Sequence, residues 1–152
     1  MKTILKSVNE TVKLGVRIGR LISKGDVVAL SGELGSGKTT LIKGIARGMG
    51  VKDTRYVNSP SFVIIKEYKA RIPLYHFDVY RLDDTSALDT VGYKGFFYGN
   101  GATVIEWADK IRQLLPDEYL DIGLSVKDEN EREINIAARG TRYEKMLKQV
   151  KL

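Results

Sequence analysis

The chain has 152 residues, with 25 Lys and Arg against 19 Asp and Glu, and it has no cysteine. This length suits one domain with its own hydrophobic core, so we expect a single domain over residues 1–152. The lack of cysteine excludes disulfides and thiolate zinc sites. No apolar run reaches the roughly 18 residues of a membrane helix, and residues 1–6 do not resemble a signal peptide, so we expect a cytoplasmic protein without membrane contact. The net charge of +6 favours encounters with anions such as nucleotides, RNA or an acidic protein.

The first third of the chain predicts a helix, a strand, a loop and a second helix. Ser7 and Glu10 have the spacing of a capping box, and they precede apolar residues that recur at helical intervals. Residues 27–30 are a short apolar run, which is typical of a strand buried on both faces. A glycine-rich loop follows, and residues 38–49 predict a helix that Gly50 ends.

Three further strands are predicted from runs of β-branched and aromatic residues, at residues 61–68, 74–80 and 102–106. In the second strand, alternation places His76, Asp78 and Tyr80 on one face. Residues 85–98 are less regular, because Gly92, Gly95 and Gly99 interrupt the pattern there.

The last third predicts a short helix at residues 108–115, which ends before a proline. Residues 119–126 and 133–138 predict an antiparallel hairpin, and the pattern at 141–144 predicts a capped final helix. Helices and strands alternate early in the chain, and a hairpin comes late. This order predicts an α/β fold, with a mixed sheet flanked by helices and a C-terminal antiparallel hairpin.

Residues 32–39 read GELGSGKT and match the phosphate-binding P-loop pattern G-x-x-x-x-G-K-S/T completely. Glycines let backbone N–H groups turn inward around an anion, and the following helix directs its positive end at the same phosphates. Lys38 would neutralise phosphate oxygens, and the Thr39 hydroxyl would bind Mg²⁺. Because the pattern lies between a predicted strand and a predicted helix, we expect a P-loop fold that binds ATP and Mg²⁺ through Gly35, Ser36, Gly37, Lys38, Thr39 and Thr40.

Two carboxylates qualify as the acid that P-loop hydrolases place on a neighbouring strand to position Mg²⁺ and water. Glu106 ends a predicted strand, and Asp78 lies on another, between Phe77 and Val79. The alternative is that each pairs with a nearby Lys or Arg. We interpret His76 as a structural hydrogen-bonding residue and Trp107 as a packing residue. Which acid orients the attacking water stays open, but Lys38, Asp78 and Glu106 are the candidate catalytic residues.

The segment around Pro60 has two interpretations. In a switch-like loop, Ser59 and Ser61 would offer oxygen atoms near Mg²⁺. The alternative is a plain turn in which the proline fixes the start of the next strand.

Four blocks together resemble the TsaE family, also called YjeE, of bacterial P-loop ATPases that act in threonylcarbamoyl modification of tRNA adenosine. The blocks are residues 32–40, 59–62, 76–82 and 105–107, and the resemblance extends over nearly the whole chain. Glu33 and Ser61 stand where the family usually has Asp and Thr.

The resemblance implies that Thr39 and Glu106 are magnesium-site residues, that Asp78 belongs to the catalytic network and that Thr11 lies near the adenine. It also implies an ATPase that is slow alone and works with the TsaB–TsaD pair. Contact with tRNA, if made, is then expected to be indirect, through those partner proteins.

Three other functions share the P-loop. A small-molecule or nucleoside kinase would need an arginine-rich lid, and Arg112 stands without a basic cluster. A regulatory GTPase would need an N/T-K-x-D block, which the chain lacks. A binding module that uses ATP only structurally is disfavoured by Asp78 and Glu106.

The basic segment at residues 139–151 has two interpretations. It predicts either contact with a partner protein or tRNA, or favourable placement of lysines near a helix C-terminus.

Overall fold

The computed structural model describes residues 1–60 and 62–150, and within these ranges seven strands form one sheet. The strands are β1 (Lys2–Leu5), β2 (Val27–Ser31), β3 (Ile65–Tyr68), β4 (Leu74–Asp78), β5 (Ala102–Glu106), β6 (Tyr119–Val126) and β7 (Arg132–Arg139). The helices in the same ranges are α1 (Val8–Leu21), α2 (Lys38–Met49), α3 (Ser86–Val91), α4 (Tyr93–Phe97) and α5 (Thr141–Gln149), with 3₁₀ helices at Thr54–Tyr56 and Ala108–Leu114.

The strand order is β1-β7-β6-β2-β5-β4-β3. The four strands β6, β2, β5 and β4 run parallel, whereas β3, β7 and β1 are antiparallel to their neighbours. The predicted mixed sheet and the late hairpin are therefore confirmed. Because the central strands are parallel, their C-terminal ends meet at one edge, and ligands of open α/β sheets bind outside that edge.

Strand β2 is buried on both faces, as its apolar run predicts. Val28 and Leu30 join the core that α1, α2 and α5 cover. Val27 and Ala29 join the opposite core, which α3, α4 and the second 3₁₀ helix cover. The P-loop thus follows a strand that two apolar layers hold in place.

Helices α1 and α2 pack so closely that their contact requires glycine. A Cβ atom at Gly15 would lie 2.4 Å from the Leu41 carbonyl oxygen and 2.8 Å from the Cα of Gly44. Gly19 and Gly48 repeat this arrangement one turn further along. The close packing places the start of α1 beside the start of α2.

The first helix begins as predicted, because the Ser7 hydroxyl accepts a hydrogen bond from the Glu10 N–H at 3.2 Å. The predicted cap of the last helix is wrong. Gly140 is the N-cap, no side chain caps this helix, and Thr141 is already helical. The chain leaves β7 through Gly140, which adopts a φ of 100°. The helix therefore starts one residue earlier than it would if Thr141 were the N-cap.

Several predicted boundaries are also wrong. Residues 85–98 form α3 and α4, because Gly92 at a φ of 71° ends one short helix and begins the next while apolar side chains turn into the core. Strand β1, which was not predicted, pairs with β7 at the edge of the sheet.

Strand β3 begins at Ile65 rather than at residue 61, after Ile64 adopts a positive φ of 68°. Strand β4 ends at Asp78 rather than at residue 80. The predicted helix at 108–115 is a 3₁₀ helix that is kinked at Ile111. None of the helices in the described ranges combines the length and apolar character that crossing a bilayer requires.

Candidate nucleotide-binding site

The P-loop connects β2 to α2 at the C-terminal edge of the sheet. Gly32, Gly35 and Gly37 have φ values of 148°, 79° and 101°, in the region that favours glycine. A Cβ atom at Gly32 would lie 2.3 Å from the Leu124 carbonyl oxygen, so the loop passes against β6 without room for a side chain. The local sequence therefore explains the conformation of the loop.

Lys38 folds its side chain back over the loop. Its ammonium group donates to the carbonyl oxygens of Gly32 at 2.7 Å and Glu33 at 3.0 Å, and it lies 3.9 Å from the centre of the Trp107 ring. Burial lowers the pKa of Lys38, and the negative charges of Glu106 and Asp78 oppose this shift. The Lys38 ammonium group is therefore held close to the P-loop, where it could contact the anionic oxygen atoms of a ligand bound to the loop.

Thr39 and Glu106 are joined directly. The Thr39 hydroxyl donates to the Glu106 carboxylate, with distances of 2.9 Å to Oε1 and 3.2 Å to Oε2. Glu106 is the last residue of β5, which is parallel to β2, so both residues reach the same edge of the sheet. The two predicted magnesium-site residues therefore present oxygen atoms at one point.

Asp78 lies at the end of the neighbouring strand and pairs in register with Glu106. Its Oδ2 accepts a hydrogen bond from the Ser59 hydroxyl, and its Oδ1 accepts one from the Tyr80 N–H at 2.9 Å. Asp78 is 3% exposed and no basic side chain of the described residues forms an ion pair with it. The interpretation of Asp78 as a partner of Lys or Arg therefore finds no support in this part of the chain.

A cavity of about 490 Å³ brings most of the predicted site residues together. It is lined by Leu34, Gly35, Gly37, Lys38, Thr39, Thr40, Ser59, Asp78, Tyr80, Arg81, Glu106 and Trp107. Ser36 lies behind this wall, fully buried, with its hydroxyl 3.5 Å from the Lys38 ammonium nitrogen. Ser61 lies outside the described residues.

Thr11 lies on a second, smaller cavity behind the P-loop, with a volume of about 90 Å³. Gly35, Gly37 and Thr40 line both cavities, so the two spaces adjoin the same loop. The Thr11 hydroxyl donates to the Ser7 carbonyl oxygen at 3.3 Å. The sequence-predicted residue is thus placed beside the loop but apart from the acids.

The sequence predicted the hairpin of β6 and β7 but not that its turn reaches the P-loop. Glu129, Asn130 and Arg132 line the second cavity, and an Arg132 guanidinium nitrogen lies 3.4 Å from the Gly35 carbonyl oxygen. The Glu33 carboxylate accepts from the Val126 N–H at 3.1 Å, which ties the loop to the same hairpin. No local sequence signal indicated this contact, because it depends on the parallel pairing of β6 with β2, which places the following turn beside the P-loop.

Two aromatic residues complete the wall around Lys38. The rings of Trp107 and Tyr80 are in contact, with centres 4.7 Å apart and planes tilted by 37°, and Trp107 adopts a left-handed φ of 62°. The prediction that Trp107 packs is compatible with this contact, but the ring also faces the cavity. Residues 89–92 read DTVG, which matches the D-x-x-G pattern of GTPases, but they span the end of α3 and lie outside the residues that line either cavity.

Two predicted basic features prove to be paired elsewhere. Arg112 lies 3.7 Å from Asp121, away from the residues that line the cavities, so it forms no lid over the site. In the basic C-terminal segment, Arg139 lies 3.6 Å from Asp121, and Arg142 binds Asp26 at 2.6 Å. Contact between the remaining lysines of that segment and a partner stays a prediction.

Comparison with known proteins places the chain among relatives. Residues 5–134 match the family model described as threonylcarbamoyl adenosine biosynthesis protein TsaE. The chain is 44% identical over 142 residues to the tRNA threonylcarbamoyladenosine biosynthesis protein TsaE of Bacillus subtilis. The aligned region covers 93% of this chain and 87% of the relative. It is 37% identical to the protein of the same name from Treponema pallidum, with 90% of this chain and all of the relative covered.

A solved structure has the same fold. The crystal structure of Bacillus subtilis YdiB superposes with a TM-score of 0.80 at 35% sequence identity, over 99% of this chain and 93% of that chain. The resemblance seen in the four sequence blocks is therefore confirmed over the full length of the fold. With its complete P-loop and the family match over residues 5–134, the chain belongs to the TsaE family.

Proposed function

We propose that this protein is an ATP-binding and ATP-hydrolysing accessory protein for threonylcarbamoyl modification of tRNA adenosine. One observation carries the proposal: a complete P-loop, the Thr39–Glu106 pair and the Asp78 carboxylate face one cavity. The chain's relatives are named as tRNA threonylcarbamoyladenosine biosynthesis proteins, which supports the pathway.

The P-loop residues would hold the triphosphate. Backbone N–H groups of the loop and the N-terminus of α2 supply partial positive charge, and no acidic residue lies in the first turn of that helix. Lys38 would exchange its carbonyl contacts at Gly32 and Glu33 for phosphate oxygens, which are stronger acceptors because they are charged.

The donor atoms fit Mg²⁺, because this hard cation prefers oxygen ligands. Thr39 and Glu106 would hold it, and Ser59 and Asp78 offer further oxygen atoms on the wall of the same cavity. Bound there, the ion would supply positive charge to the phosphate oxygens, as in other P-loop hydrolases.

Asp78 would orient the attacking water. Ser59 and the Tyr80 N–H each hold one of its oxygens, so the carboxylate is fixed at the end of a rigid strand and retains lone pairs for a further donor. Glu106 is already engaged by Thr39 and by His76, which favours the metal site over water activation as its role.

The nucleoside would extend toward the second cavity. Thr11, Thr40, Asn130 and Arg132 surround that space, and they can offer hydroxyl, amide and guanidinium groups to a base or ribose. This arrangement supports the expectation that Thr11 lies near the adenine.

The partners would be the TsaB–TsaD pair, with tRNA reached through them. Large apolar side chains are exposed at the main cavity. Leu34 and Tyr80 line the cavity and are 78% and 45% exposed, and Phe62, which is 84% exposed, lies against Arg81 of the same wall. Apolar residues exposed together beside a site mark a surface that another protein covers. A partner on this rim would exclude water from the cavity and raise the rate of hydrolysis.

The experiment measures phosphate release from ATP and from GTP, with and without TsaB–TsaD, for the wild type and for Lys38→Ala and Glu106→Ala. We expect release from ATP, stimulation by the partners, and loss of release in both variants. Release that neither substitution affects would refute the assigned site. Transfer of phosphate to a small acceptor would identify a kinase instead.

A further inference from the structure

His76 is buried in a way that folding alone does not explain. It is the chain's single histidine, it is 0% exposed, and its Nε2 lies 2.9 Å from the Glu106 Oε1. Its other ring nitrogen, Nδ1, is buried without a hydrogen-bond partner among the described residues. An apolar side chain at this position would avoid the unfavourable burial of an unpaired polar atom.

The contact has a defined direction. A carboxylate can only accept, so the Nε2 atom carries the proton and donates to Oε1. A neutral ring with this tautomer leaves Nδ1 as a bare acceptor, which is the atom found without a partner. The imidazole is therefore oriented by its contact with Glu106.

The hydrogen bonds at Glu106 are unequal. Oε1 accepts from both His76 and Thr39 at 2.9 Å, whereas Oε2 accepts from Thr39 alone, at the longer distance of 3.2 Å. The carboxylate is thus held at one oxygen by a strand residue that cannot move independently of the sheet. The other oxygen is left with greater capacity for an additional ligand.

One strand serves both acids. His76 and Asp78 are two residues apart on β4, so their side chains lie on the same face, as the sequence predicts. Residue 76 contacts the carboxylate of the neighbouring strand β5, and residue 78 carries its own carboxylate. This spacing couples the positions of the two acids through a rigid element.

We propose that His76 is a positioning residue that fixes the orientation of the Glu106 carboxylate and thereby sets the affinity of the site for Mg²⁺. The inference rests on the proposed function, because it assigns Glu106 to the metal site. Hydrogen bonds to the ligands of a metal ion hold those ligands in place, and their loss lowers metal affinity by about 10- to 100-fold.

The test compares His76→Leu, which removes the donor, with His76→Gln, whose side-chain amide can still donate to Glu106. Nucleotide binding is measured by calorimetry with ATP, once in EDTA and once across a range of MgCl₂ concentrations. Thr103→Val is the control, because it removes another buried polar group from the strand of Glu106, one bonded to Phe96 rather than to the site. Circular dichroism reports whether each variant is folded.

We expect His76→Leu to raise the MgCl₂ concentration for half-maximal enhancement of ATP binding by about 10- to 100-fold. His76→Gln should recover most of this loss, and neither should change ATP affinity in EDTA. Unchanged magnesium dependence in a folded His76→Leu protein would overturn the inference, as would an equal loss of ATP binding with and without magnesium.

If His76→Leu does not fold, His76→Asn replaces it, because its shorter amide falls short of Glu106. Equal magnesium dependence of the Asn and Gln variants would then overturn the inference. Absence of ATP binding by the wild type under both conditions would overturn the proposed function itself, and this inference with it.

Discussion

The Thr39 hydroxyl donates a hydrogen bond to Glu106 at 2.9 Å, across 67 positions of the chain. Thr39 is the second residue of helix α2, whereas Glu106 ends β5, and one 3₁₀ helix, two strands and two helices lie between α2 and β5 in the chain. Parallel pairing of β2 with β5 brings them together. The site therefore depends on the sheet as much as on the P-loop.

The Thr39 hydroxyl supports a prediction about magnesium. We expect Thr39→Ala to lower magnesium-dependent phosphate release by about tenfold or more, because it removes one of the proposed oxygen ligands of Mg²⁺ and the hydrogen bond to Glu106. Thr39→Ser keeps the hydroxyl and is the matched control. Malachite green assays across MgCl₂ concentrations measure the effect, and equal rates for the Ala and Ser variants would contradict the role.

Asp78 supports a prediction about turnover. Asp78→Asn keeps the shape of the side chain but loses its charge, so we expect the kcat for ATP to fall by about 100-fold with little change in ATP affinity. Asp83→Asn changes an exposed acid nearby and should leave both unchanged. A variant that lost ATP binding instead of turnover would show that Asp78 acts in binding.

The second cavity supports a prediction about the nucleoside. Thr11→Val keeps the side-chain shape and removes the hydroxyl, so we expect ATP to bind about 3- to 10-fold more weakly while inorganic triphosphate binds unchanged. Thr90→Val is matched, since Thr90 also donates to a carbonyl four residues earlier, on a helix away from the site. Equal weakening of both ligands would place Thr11 at the phosphates.

The contact between α1 and α2 supports a prediction about stability. Gly15→Ala would place a Cβ against the Leu41 and Gly44 backbone, so we expect the free energy of unfolding to fall by about 1–3 kcal/mol. Gly95→Ala, on α4, meets open space and should be neutral or stabilise by about 0.5–1 kcal/mol. Urea denaturation measures both, and equal effects would contradict the packing argument.

Tyr143 supports a prediction about pH. Burial raises the pKa of its phenol, whose oxygen accepts a hydrogen bond from the Val27 N–H at 2.7 Å. An unfolded tyrosine ionises near pH 10, and the folded one resists ionisation to higher pH. Above about pH 10 the unfolded state therefore releases the proton first, and the free energy of unfolding falls as pH rises.

We expect Tyr143→Phe to remove the phenol's contribution to this pH dependence. The substitution should also lower the free energy of unfolding near neutral pH by about 1–3 kcal/mol, because the buried Val27 N–H loses its acceptor. Urea denaturation between pH 7 and 11 separates the two effects. Tyr98→Phe, at an exposed tyrosine, is the control. A decline above pH 10 that is equal in the wild type and in Tyr143→Phe would rule out the phenol as its source.

Local patterns predicted much of the fold. The Ser7 cap, the buried strand β2, helix α2 with its terminal glycine and the late hairpin are all found where the sequence places them. Edge strand β1 was missed because it is short and its pattern is weak, and its pairing with β7 joins the two ends of the chain. The predicted cap at Thr141 was wrong because Gly140, the preceding residue, adopts a positive φ and is itself the N-cap.

The sequence by itself determined the phosphate loop, since its glycines, lysine and threonine are contiguous and their chemistry depends only on local backbone geometry. It also singled out Asp78 and Glu106 as the candidate acids, although only the structure showed that Asp78 ends its strand. Only the tertiary structure decided that His76 contacts Glu106 and that Arg132 approaches Gly35. These contacts depend on strand order and register, which arise from the burial of both faces of the sheet and from pairing between residues far apart in the chain.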